Sequence, residues 1–174
     1  AYPTKPRPAL GIAGTPLKGA IVEAQRMANY VVGPWEVDPA LKARHSIGAF
    51  VLDSTEALTQ IGPAELAIVS GRHNFINGFV SARQAKGGRT LLNAVLRFRD
   101  PLSAAAVVSD LGQTYPPGPT NSESVQRVAI PGHPDALATS YTVIDPETRR
   151  QRIAVRSFTF QGPYVLTQVA QSVD

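Results

Sequence analysis

Residues 79–98 constrain the fold more than any other stretch, because they admit little except a β-hairpin. Phe79-Val-Ser-Ala-Arg-Gln84 and Thr90-Leu-Leu-Asn-Ala-Val-Leu-Arg-Phe98 flank Lys86-Gly87-Gly88. Two successive glycines supply the positive φ that a tight turn needs, at no steric cost. Alternation in the second arm puts Leu92, Ala94, Leu96 and Phe98 on one face and Leu91, Asn93, Val95 and Arg97 on the other. The first face is core. The second is mixed and is expected to be only partly wet.

The hairpin's apolar face needs helices to cover it, and the flanking sequence offers them. Thr15-Pro16 joins an N-cap residue to a Pro at the first helical position. Leu17, Ile21, Ala24, Ala28 and Val31 then recur at helical spacing, an amphipathic helix of about four turns. Gly33-Pro34 ends it. Asp38-Pro39-Ala-Leu41 can form a single turn. Residues 49–52 read as a short strand, and 55–60 and 64–69 as short helices, the second closed by Ser70-Gly71. Asp100-Pro101 repeats the cap-and-proline device and opens an Ala-rich helix over 102–111. A polar loop follows over 113–124. Residues 125–130, 137–143, 152–160 and 164–172 read as strands, the last two joined by Gly162-Pro163. Strands joined by tight turns pair antiparallel. The pattern predicts an α+β fold: an antiparallel sheet of about five strands with helices packed mainly on one face. Residues 1–14, with Pro3, Pro6 and Pro8, read as an extended arm, and 15–174 as a single domain.

Composition narrows the chemistry. In 174 residues, 43% hydrophobic and 17% charged, there is enough apolar material for a core without metal or disulfide support. The chain has no cysteine, which excludes disulfides, thiolate metal sites and a cysteine nucleophile within it. The net charge of +4 comes from scattered Lys and Arg rather than a dense patch, so nucleic acid is not an expected partner. No run approaches the ~18 apolar residues of a membrane-spanning helix, and no basic–apolar–small signal pattern occurs in the sequence. The opening at Ala1 in a Pro-rich arm is expected of a processed or trimmed start.

Candidate site residues fall into three groups. Ser70, Arg72 and His73, in Ser70-Gly-Arg-His-Asn74, can be read as contacts to an anion or substrate, or as a hydrolase using Ser70 and His73. The simpler reading is a helix end, where Gly71 caps and Arg72 and His73 meet the negative dipole. No Gly-x-Ser-x-Gly elbow occurs, so no catalytic residue is assigned. Trp35 and Glu36, with Asp38 nearby, can form an aromatic platform flanked by carboxylates; alternatively Trp35 packs under the helix end. Arg149, Arg150, Arg152 and Arg156 are the densest basic group, suited to phosphate, an anionic membrane or an acidic partner. They suit equally a solvated hairpin whose charges discourage strand pairing. His45, His73 and His133 show no metal-ligand spacing, so neither metal nor cofactor is expected.

Three segments together carry a resemblance: Glu23-Ala-Gln-Arg-Met-Ala-Asn-Tyr-Val-Val-Gly-Pro-Trp-Glu-Val-Asp-Pro-Ala-Leu41, Gly78-Phe-Val-Ser-Ala-Arg-Gln84 and Asn93-Ala-Val-Leu-Arg-Phe98. The combination resembles a family of exported actinobacterial lipoproteins built on a domain of unknown function, in its N-terminal part. Members generally carry a lipidated Cys and a further C-terminal region, neither of which is in this sequence. The resemblance implies an extracytoplasmic place in the cell envelope and no catalytic residues. The expected function is therefore non-enzymatic binding of an envelope protein, a lipid or a cell-wall component, with membrane attachment only through an anchor outside this sequence.

Overall fold

The computed structural model describes residues 22–23, 26–31, 40–43, 49–85, 87–114, 122–144 and 149–173. The expected arm at 1–14, the Thr15-Pro16 helix start, the Gly33-Pro34 stop, and Trp35 with Glu36 and Asp38 lie outside the described residues, as does His45. Where the apolar stripe predicts continuing α-helix, Met27–Tyr30 form a 3-10 turn with Met27 buried.

The hairpin forms as its sequence dictates. Strands β3 (Phe75–Gln84) and β4 (Thr90–Phe98) pair antiparallel around a turn with Gly87 at φ 98° and Gly88 at φ 89°. β3 begins four residues before the expected start, past a register irregularity between Phe75 and Asn77. Gly78 belongs to it for a packing reason. A Cβ there would stand 2.7 Å from the Val95 carbonyl oxygen and 3.0 Å from Leu96 Cδ2, too close for any side chain.

The sheet is wider than the expected five strands. Strands β1 (Lys42–Ala43) and β2 (Ala49–Leu52) both pair with β3, in succession along the same edge. Strands β5 (Ser122–Arg127), β6 (Leu137–Ile144), β7 (Gln151–Gln161) and β8 (Tyr164–Val173) form an antiparallel meander. The meander folds back so that β8 lies against β4, which gives eight strands in the order β1-β3-β4-β8-β7-β6-β5, with β2 beside β1 on β3. Five is too few because the short segment 49–52 and a ragged β5 both join one continuous sheet. The expected strand at 125–130 is shifted: β5 has an irregular register between Glu123 and Gln126, and Ile130 makes only an isolated bridge to His133.

Helices α1 (Ala64–Arg72) and α2 (Pro101–Thr114) cover one face, here called inner. The core is a single cluster on that face. It joins Leu66 and Val69 of α1, Ala104, Val107 and Leu111 of α2, and Val80, Leu96, Phe98, Phe158 and Val165 of the sheet. Phe75 and Phe98 meet edge to face with centroids 5.8 Å apart. At the start of α2, Asp100 Oδ1 accepts the Ser103 backbone N–H at 2.8 Å, the expected N-cap. That bond and, secondarily, the Ser103 hydroxyl hold the Asp100 carboxyl below its ordinary pKa. The outer face is not the half-wet surface expected: Leu91, Asn93 and Val95 of β4 are buried. The N-terminal segment reaches it, since Glu23 pairs with Arg97 and Tyr30 stands beside Val95 and Tyr164.

Phe98→Ala removes a fully buried ring and is expected to cost about 3–5 kcal/mol in urea unfolding, while Leu102→Ala, at an 82% exposed site, stays within about 0.5 kcal/mol. The Asp100 contribution has a definite sign. Its folded pKa is depressed, so its stabilisation is present above the ordinary Asp pKa of about 3.9 and lost as pH falls through the lower folded value. Asp100→Ala should lower stability at neutral pH and flatten the acid limb of the stability–pH curve; an unchanged acid limb would refute this cap.

Candidate functional site

Two of the three sequence-predicted groups lie within the described residues, in different places. Ser70, Arg72 and His73 sit at the end of α1. The helix does not stop at Ser70-Gly71 as expected but runs on to Arg72, with the His73 N–H bonded back to the Val69 and Ser70 carbonyls. Asn74, at φ 58°, takes the left-handed position assigned to Gly71. Arg72 lies in the last turn, against the negative end of the helix dipole.

His73 Nε2 lies 2.8 Å from Asp110 Oδ2, so an imidazole–carboxylate pair links α1 to α2. Ser70 does not join it. Its hydroxyl is completely buried and makes no hydrogen bond, so it is not poised against His73 for proton transfer. The pair, at 24% and 37% side-chain exposure, is a helix clasp on the protein surface.

Arg152 and Arg156 share the inner face of β7, as alternation predicts, while Arg149 and Arg150 are exposed in the preceding turn with Arg149 at φ 57°. Register pairing adds what spacing did not: Arg127 of β5 and Arg156 of β7 flank the same residue, the buried Thr139 of β6. The Arg127 guanidinium also donates to the Gly112 carbonyl at 2.9 Å, near the end of α2. Among the described residues no cluster of His, Asp and Glu suits a metal ion.

A further opening lies elsewhere, on the outer face beside the β7–β8 turn. In that two-residue turn Gly162 has φ +55° and Pro163 fixes a negative φ, the type II′ combination. The Pro163 carbonyl accepts the Phe98 N–H at 2.8 Å and so ties the turn to the end of β4. Alternation sends Gln161, Thr159 and Ser157 of β7, and Tyr164, Leu166 and Gln168 of β8, to the outer face. One recess of about 360 Å³ is lined by Tyr30, Val95, Gln161, Tyr164 and Leu166. A second, of about 520 Å³, shares Gln161 and Leu166 and continues past Ser157, Thr159 and Gln168 toward His133. The two recesses adjoin at Gln161 and Leu166 and are together called the groove. The sequence carried its signal, since the same alternation around Gly162-Pro163 assigns these residues to one face, but nothing in a lone sequence marks that face as open.

Ser70→Ala should raise stability by about 1 kcal/mol, because a buried hydroxyl with no partner is unfavourable. Asp110→Asn should lower it by about 0.2–1 kcal/mol, and less at high salt. Thermal unfolding of both variants reads the two signs.

No curated protein matches this chain. Its fold is similar to that of a solved structure, the crystal structure of the extracellular domain of PknH from Mycobacterium tuberculosis. The TM-score is 0.55 at 12% identity, over 86% of each chain. No described helix is long and apolar enough to cross a membrane. Residues 10–174 match the family model described as "Domain of unknown function (DUF7373) N-terminal", and the chain belongs to that family.

Proposed function

We propose that this chain is a non-enzymatic binding domain of the cell envelope, acting outside the cytoplasm, with the outer-face groove of β7–β8 as its recognition surface. One observation carries the reading: among the described residues, aromatic, amide and hydroxyl side chains converge at the outer groove on an opening large enough for a ligand. The fold shared with an extracellular mycobacterial domain supports the compartment. The resemblance to exported actinobacterial lipoproteins supports attachment through an anchor outside this sequence. The hydrolase reading of Ser70 and His73 is weakened by a hydroxyl that is sealed in the core. The anionic-ligand reading places Arg149, Arg150, Arg152 and Arg156 across a turn and an inner strand face, without a shared opening among the described residues.

Sedimentation with washed actinobacterial envelope fragments tests this. The chain is expected to pellet at low and high salt alike. Leu166→Asp, with its unfolding midpoint unchanged, is expected to stay in the supernatant. Attachment through the arginines would instead fall as salt rises. Turnover of an ester or glycoside that disappears in Ser70→Ala or His73→Ala would overturn the non-enzymatic reading.

A further inference from the structure

We infer that the outer-face groove takes a neutral glycan, a sugar chain held by stacking on tyrosine and by hydrogen bonds to glutamine amides. The inference rests on the groove being the recognition surface and goes on to name its ligand class. Charge gives the first argument. Apart from His133 at the far end of the second, neither recess includes a basic or acidic side chain among its lining residues. The nearest cation in register, Arg97 opposite Tyr164, is already paired with Glu23. A phosphorylated or carboxylated ligand would find neither Arg nor Lys, the groups that ordinarily meet it.

Polar capacity gives the second. Gln161 and Gln168 are exposed and each presents an amide with two donors and an acceptor. Two such groups, with the hydroxyls of Ser157 and Thr159, match a ligand rich in hydroxyls, each of which both donates and accepts. The polar strip continues sideways. Asn93 of β4 stands directly opposite Gln168, is only 4% exposed, and has no partner for either amide atom. An acyl chain would leave the groups of Gln161, Gln168, Ser157 and Thr159 unsatisfied, at a cost for every one it desolvated. A peptide strand is equally ill suited, because β7 and β8 are interior strands whose backbone groups are already spent on neighbours.

Shape gives the third. Tyr30 is 69% exposed at the rim and Tyr164 lies on the floor, an arrangement of flat amphipathic rings suited to the C–H faces of pyranose rings. The joined recesses, about 360 and 520 Å³, have room for more than one sugar unit.

The test titrates maltotetraose, cellotetraose and chitotetraose separately into the chain and follows backbone amide resonances. At least one is expected to shift residues 157–168 saturably. A Gln161→Ala/Gln168→Ala double variant with an unchanged unfolding midpoint should weaken that binding by about tenfold or more. Absence of saturable shifts at about 10 mM of every sugar overturns the inference. So does binding that the double variant leaves intact, or shifts centred away from the groove. If the sugars fail while Leu166→Asp still releases the chain from envelope fragments, the recognition surface stands and its ligand is not a neutral glycan. If the wild-type chain never pellets, the surface itself is refuted.

Discussion

The two described α-helices cannot cover a sheet this wide, and much of the described structure follows from that shortfall. Seven strand positions span about 29 Å at ~4.8 Å per spacing, whereas two packed helices occupy about 20 Å. The helices take the middle of the inner face, where Leu96, Phe98, Phe158 and Val165 form the core. At the meander's far side the inner face changes character, with Arg127, Thr139 and Arg156 aligned across three strands. The outer face has no helix from this pair. Its buried positions include Asn77, Ser81 and Asn93 where an ordinary second core would have aliphatic residues. Small polar groups there are compatible with partial cover by an irregular segment such as that of Met27–Tyr30, and with a groove where that cover ends.

The hairpin, the α2 cap and the last two strands were legible because each is encoded locally. Gly87-Gly88, Asp100-Pro101 and Gly162-Pro163 fix backbone geometry through the residues that adopt it, and period-2 alternation fixes the faces between them. The misses share one cause, which is that tertiary partners decided them. α1 ran through Ser70-Gly71 because Val69 and Ser70 still had core to reach, and Asn74 served for the reversal that a glycine more often makes. The sheet's width depended on which short segments found a free edge of β3. The groove was half legible: side-chain alternation names its residues, but only the pairing of β8 with both β4 and β7 sets Tyr164 beside Val95 and Gln168 opposite Asn93.

Two of the segments that carry the sequence resemblance hold residues under a clear physical constraint. Gly78 begins one of them, and its backbone admits no Cβ against Val95 and Leu96. Asn93 begins another and carries the buried amide beside the groove. Both are residues whose replacement by an ordinary strand former would be expected to improve local β propensity. Their presence marks one position set by close packing and one where a polar side chain is kept in the interior.

The β4–β8 seam has a consequence for the order in which the chain can become a protein. It joins residues 90–97 to 164–171 and is the only ladder between the two halves of the described sheet. Until β8 exists, β4 presents an unsatisfied edge through the middle of the future molecule, and α2 lies over a sheet that is not yet there to receive it. A chain made N-terminus first therefore holds that edge open until β8 is available. The described sheet is closed from its centre, by β8, so its central edge stays open until residues 164–171 have been made.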